Sequence, residues 1–128
     1  MQRFLLNALI ASFFVAGMFH FINPKLYMWL IPDYIPYPYI VNFLAGVVEV
    51  ALAMTLIMPQ TRKYGAIGVI LLMIAFIPAH IHHVQIANFA SEQLYINPYV
   101  AWIRLLLIHP LLMVWAYWAG FWYGEKAS

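Results

Sequence analysis

The side chains of this 128-residue chain most able to do chemistry are one acid, one guanidinium and a set of imidazoles: Glu49, Arg104, His20, His80, His83 and His109. All stand inside strongly apolar surroundings, because 66% of the sequence is hydrophobic, 8% is charged and the mean hydropathy is +0.86. Soluble domains carry about 25% charged residues, so this chain has too little polar material to cover a water-facing surface and belongs in a bilayer. There a charged side chain near the middle of a span costs about 2.5–3.5 kcal/mol, and each needs a partner, a cavity or a path to water. A carboxylate beside imidazoles exchanges protons, and a guanidinium binds carbonyl or carboxylate oxygens.

Spacing suggests how these groups meet. Asn42, Gly46, Glu49 and Ala53 follow i, i+4, i+7, i+11, so Glu49 shares one helix face with small residues that should turn toward other helices. At 1.5 Å per residue, His20 lies about 25 Å from Arg3, and His80 lies about 25 Å from Lys63. Arg104 and His109 lie about 9 Å and 16 Å from Pro98, and Glu49 about 16 Å from Pro38. Each helix thus brings a polar group to the same half of the bilayer, and the groups are expected to converge on one pocket lined by His20, Asn42, Glu49, His80, His83, Arg104 and His109. A Glu49–Arg104 ion pair is the economical expectation, either as a functional element or as neutralisation of two buried charges. His80 and His83, at i and i+3, share a face while His82 points away. With His20 or Glu49 they form a candidate metal site of N and O donors, although the spacing differs from the i, i+4 pair of zincins. Pro78 and Pro110 free the carbonyls of Ile74 and Leu106 and predict kinks beside the histidines.

The elements that position these residues are four membrane spans, at about 3–22, 37–58, 64–85 and 98–123, in an all-α antiparallel four-helix bundle forming a single domain. Pro59 to Lys63 makes a tight polar turn. Asn23-Pro24 and Asn97-Pro98 are helix-start signals, the first opening a short interfacial helix over Lys25–Leu30. Ala45, Gly46, Ala53, Gly65, Gly68, Ala75 and Ala79 mark helix contacts, since close approach at small residues replaces the hydrophobic drive that lipid removes. Tyr27, Trp29, Tyr34, Tyr37 and Tyr39 read as an aromatic belt, and Trp115, Trp118 and Trp122 as anchors near the opposite interface. Arg3, Arg62, Lys63 and Lys126 at one face outnumber Lys25 at the other, which places both termini in the cytoplasm and the Ala87–Asn97 loop outside.

Other classes are excluded or disfavoured. The chain has no cysteine and therefore no thiol chemistry, iron–sulfur cluster or zinc ribbon. Its net charge of +2 is too small and scattered for nucleic acid. Between Arg3 and Asn23 no A-x-A-like site marks the first span as a cleaved signal. Four helices without inverted repeats offer little for alternating access, and an oligomer is compatible with the sequence.

Six stretches occur in order: Gly17 to Pro24 with the G-x-x-H-F piece, the Ile31-Pro32 and Ile35-Pro36 pair, Asn42 with Gly46-Val47-Val48-Glu49, Met58-Pro59 before Thr61-Arg62-Lys63, Phe76 to Ala79, and Trp102-Ile103-Arg104. Together they resemble the DoxX family of small four-helix bacterial membrane proteins over nearly the whole chain. The resemblance implies an inner-membrane protein associated with redox enzymes, the family being named from a membrane subunit of a thiosulfate:quinone oxidoreductase. Relatives with cysteine pairs serve in disulfide or methylamine-enzyme maturation, which this chain cannot share. Many relatives have glutamine after W-x-R, whereas this sequence has none there and offers His109 in that neighbourhood, and its H-x-H-H cluster is richer in histidine than the family's pattern. Three functions follow as expectations. The first is a redox-associated accessory subunit holding a quinone-like ligand, with Glu49 transferring protons and electrons arriving from a membrane or redox partner. The second is a binder of lipid or isoprenoid, or a scaffold subunit of a larger complex. The third is a histidine metal protein.

Overall fold

The computed structural model describes residues 1–89 and 97–123, of which Asn88 and Phe89 are described by their backbone alone. Among the described residues the chain is helical, with no strand: α1 Gln2–Ile22, α2 Lys25–Met28, α3 Pro38–Ile57, α4 Arg62–Ala75, α5 Ile77–Phe89, α6 Pro98–Ile103 and α7 His109–Tyr117. π-helical turns over Arg104–Ile108 and Trp118–Trp122 continue α6 into α7 and extend α7. These pieces make four helical rods, at Gln2–Ile22, Pro38–Ile57, Arg62–Ala87 and Pro98–Trp122, each long and apolar enough to cross a membrane. The chain is a multi-pass membrane protein with a four-helix architecture. Lys126 and residues 90–96 of the Ala87–Asn97 loop lie outside the described residues.

Side chains such as Phe14, Leu44, Val48, Leu71, Leu107 and Val114 stand exposed along the rods. In water that would be a large aggregation-prone surface, whereas lipid tails solvate it. The interior is narrow. Leu6, Leu9 and Phe13 of α1, Ala53 and Leu56 of α3, Ala66, Val69 and Met73 of α4, and Ala116 and Ala119 of the last rod form one buried core. It fills the half of the bundle nearer the Met58–Thr61 turn, here called the turn end; the opposite half, roofed by α2 and residues 29–37, is the loop end.

Glycines set the α1–α3 seam. A Cβ on Gly17 would stand 2.9 Å from Glu49 Cβ, and one on Gly46 would stand 2.6 Å from His20 Cβ and 2.9 Å from the Gly17 carbonyl oxygen. Each glycine therefore lies against the polar residue of the antiparallel neighbour, and any side chain there would push α1 and α3 apart.

Both prolines act through the helix around them. The interruption expected at Pro78 falls two residues earlier, at Phe76, whose N–H is shared by the Leu72 and Met73 carbonyls at 2.9 and 3.2 Å. Pro78 then sits in the first turn of α5, where its missing N–H costs no bond. Before Pro110 the rod widens: the His109 N–H reaches the Arg104 carbonyl, five residues back.

Candidate functional site

A cavity of about 350 Å³ opens in the loop-end half, and all four rods reach it. His20 and Ser12 come from α1, Asn42 and Glu49 from α3, His80 from α5, Arg104 and His109 from the fourth rod, and Tyr27 from α2. Phe13 and Met73 of the core, with Leu112, bound it on the turn side, while Leu30, Ile31, Pro32 and Ile35 close the loop side. The lining is mainly apolar with a few convergent polar groups, the usual character of a small-molecule site.

The α1–α3 seam holds the most ordered group. Asn42 Nδ2 donates to the His20 carbonyl at 3.0 Å, which leaves Oδ1 to accept from His20 Nδ1–H at 2.8 Å. His20 Nε2 is thereby aimed at Glu49 Oε1, 3.5 Å away, an ion-pair distance that is long for a hydrogen bond. The lone pair of a neutral His20 would face the carboxylate, so the two are complementary only when the pair carries a proton, on the ring or on the carboxyl. Glu49 is 5% exposed, and its second oxygen, Oε2, has no hydrogen-bond partner among the described residues.

This geometry corrects the expected Glu49–Arg104 ion pair. Among the described residues the one ion pair is His20–Glu49. The glycine seam presses α1 onto α3 and gives Glu49 a neighbour on the adjacent helix. Arg104 belongs to a rod packed on α5 and α4, across the cavity. Its half-buried guanidinium makes no hydrogen bond or ion pair to the described protein.

The π-helical turn helps to place Arg104 and His109 on one side. Five residues of α-helix turn through 500°, leaving side chains about 140° apart, and the wider turn narrows that angle. His109 Nε2 then donates to the Met73 carbonyl at 2.6 Å, and since a carbonyl only accepts, this nitrogen bears the hydrogen. His109 is thus partly committed to tying the fourth rod to the end of α4. His80 stands edge-on to it, with ring centres 4.6 Å apart, and its buried Nδ1 has no hydrogen-bond partner among the described residues.

His83 does not line the cavity. It is 2% exposed, packed edge-on against Trp29 at 4.8 Å. Among the described residues no three His, Asp or Glu side chains come together as a metal site, so the His80, His83 and His20 or Glu49 grouping is not assembled.

Tyr27, expected as an interfacial anchor, is a cavity residue. Its ring stacks on His20 at 3.8 Å and 8°, and its hydroxyl donates to the Ala16 carbonyl at 3.2 Å. Burial, reinforced by the nearby Glu49 charge and opposed by Arg104, pushes the Tyr27 phenol above its ordinary range. The available signal was positional: Asn23-Pro24 starts a helix that folds back beneath the end of α1, and Tyr27 is in its first turn.

A family model described as a domain of unknown function (DUF8561) matches residues 9–120. No curated protein and no solved structure matches the chain.

Proposed function

The chain belongs to the DUF8561 family, whose description assigns no activity, and we propose that it is a small redox-associated membrane subunit holding a quinone-like ligand in the loop-end cavity. One observation carries the reading: an apolar-walled cavity of about 350 Å³ receives an Arg104 guanidinium, a His80 Nδ1 and a Glu49 Oε2 that have no hydrogen bond among the described residues. Unpaired polar groups at membrane depth are costly, and a ring with hydrogen-bonding oxygens and an aliphatic tail would satisfy them while filling the walls. The resemblance to the DoxX family supports the redox association.

In this reading Arg104 donates to one ring oxygen and His80 bonds beside it, while the aliphatic side chains of residues 30–35 cover the ring. The Glu49–His20 pair holds a proton at the cavity wall and passes it to a ligand oxygen, with Asn42 fixing the imidazole for that exchange. A quinone bound there accepts two electrons from a redox partner protein and two protons through these side chains. The positive-inside rule, applied to Arg3, Arg62 and Lys63 at the turn end, supports a cytoplasmic turn end and, with it, a cavity in the outward half of a bacterial inner membrane.

The test is mass spectrometry of small molecules retained on gentle extraction, paired with thermal unfolding in the presence of short-tailed benzoquinones and naphthoquinones. At a hundred times the dissociation constant, a ligand specific for the native state stabilises by about 2.7 kcal/mol. A co-extracted quinone and a shift lost in Arg104→Gln are expected. Neither quinone nor shift in the wild type would overturn the reading.

A second reading, a binder of isoprenoid or other lipid without proton chemistry, is favoured by the mostly aliphatic walls. Glu49→Gln separates the two: a binder retains its ligand and its function, and a proton-coupled subunit retains the ligand but loses turnover with its partner.

A further inference from the structure

A second recess lies at the turn end, between α1 and α3, away from the cavity above. Arg3, Asn7 and Phe14 follow i, i+4, i+11 along one face of α1, with Ala11 beside them, and line an open groove about 16 Å long at 1.5 Å per residue. Met54 and Ile57 form its other wall, and Arg62 also lines it. We propose that this groove is a binding site for an anionic phospholipid, with the phosphate held at Arg3, Asn7 and Arg62 and one acyl chain laid along Ala11 and Phe14.

Charge complementarity selects the occupant. Arg3 makes no ion pair with the described protein, and among the described residues Asp33 and Glu49, the carboxylates of the chain there, belong to the other half of the molecule. Arg62 is held rigidly: 5% exposed, it donates from Nε to the Leu56 carbonyl at 3.0 Å and from one terminal nitrogen to Ile57 at 3.1 Å. Its Nη1 has no bond to the described protein and remains available at the recess. Asn7, exposed in the same recess, adds an amide donor. Basic recesses between spans at the end of a bundle recognise anionic headgroups in this way, whereas a zwitterionic headgroup brings its own cation to the arginines. The apolar floor requires an acyl chain, which free phosphate lacks.

Native mass spectrometry of the full chain, released from vesicles of equal phosphatidylglycerol and phosphatidylcholine, tests the site. One phosphatidylglycerol is expected to survive delipidation preferentially. Arg3→Gln should weaken its retention about fivefold, the effect of about one interfacial cation. Ala11→Trp, at an exposed position on the groove floor, should abolish retention, and Arg104→Gln should leave it unchanged. Equal retention of the two lipids, or no response to either groove variant, would overturn the proposal. So would displacement of the lipid by millimolar inorganic phosphate, or a dimer mass showing that a second copy covers this face. A stable wild-type fold with normal quinone response and no lipid preference would sink this site while leaving the cavity reading intact.

Discussion

Arg62 and Arg104 are the same residue in opposite halves of one bundle, and their surroundings differ in kind. Arg62 closes the end of α3 by donating to two of its last carbonyls and lies 5.5 Å from the centre of the Tyr123 ring. The protein supplies most of what its charge needs, including the negative end of a helix dipole. Arg104 reaches a cavity and, among the described residues, bonds to no carboxylate and no carbonyl. The difference separates a cation that the fold largely satisfies, with one terminal nitrogen to spare, from one that makes no hydrogen bond or ion pair among the described residues, although composition and hydropathy treat the two alike.

Exchanging each for methionine gives the sharpest test. Arg62→Met removes two charge-assisted bonds and leaves buried carbonyls unpaired, so a loss of roughly 3 kcal/mol is expected in denaturant-monitored unfolding in micelles. Arg104→Met should cost under about 1 kcal/mol in the ligand-free protein, while weakening ligand retention at least about tenfold. Equal destabilisation by both variants would erase the contrast and make Arg104 structural.

The glycine seam comes next. Gly46→Val places branched carbon where His20 Cβ already stands within 2.6 Å of a first added atom, and such overpacking costs typically about 1–3 kcal/mol. Separation of α1 from α3 also breaks the Asn42–His20–Glu49 chain, so under the proposed function the loss should include proton-coupled turnover. Gly68→Ala probes a milder version, because its added Cβ meets only the tip of the Leu52 side chain, which can rotate away. Similar effects from the two would show that the seam has no special tie to the site.

His109→Phe is expected to act more weakly, by about 1–2 kcal/mol, through the lost bond to the Met73 carbonyl at the α4–α5 interruption. His80→Phe should instead leave stability nearly unchanged and reduce ligand retention, since its Nδ1 has no protein partner to lose. Thermal unfolding and ligand retention, measured on both variants, distinguish the tether from the free imidazole.

These contrasts also mark what a linear reading can reach. The spans were legible to within a few residues, because apolar length is a local property: 37–58 against Pro38–Ile57, and 98–123 against Pro98–Trp122. The inward turn of Glu49 was legible from the small residues on its face. Its partner was not, since rise per residue gives depth and says nothing of which rod lies beside which. A usable signal was present in Gly17-x-x-His20 and Gly46-x-x-Glu49. On antiparallel neighbours these pieces pack reciprocally, each glycine against the other helix's polar residue, and so bring imidazole and carboxylate together. His83 was misplaced among the cavity residues because sharing a face with His80 does not fix which ring each helix neighbour captures. Tyr27 was hidden by its type, as a tyrosine near a headgroup boundary ordinarily needs no further account.

Tyr27 allows the smallest and most selective test of whether Arg104 and Glu49 act on one space. Its phenol is held above the ordinary value of 10.0, first by burial, then by Glu49, against the opposing pull of Arg104. Above about pH 10 the unfolded chain releases this proton while the folded chain retains it, so wild-type stability should fall as pH rises into the alkaline range. Tyr27→Phe removes that slope and keeps the stacked ring, at the cost of one hydroxyl bond to Ala16. The two charged variants should then move the phenol in opposite directions: Arg104→Gln raises its titration further by withdrawing a cation, and Glu49→Gln lowers it by withdrawing an anion. Ultraviolet titration of each variant against its Tyr27→Phe counterpart isolates this one phenol among nine tyrosines. Shifts of the same sign, or none from Arg104→Gln, would mean that the guanidinium's charge does not reach the His20 side of the cavity, and the contrast with Arg62 would then rest on Arg104's missing partners alone.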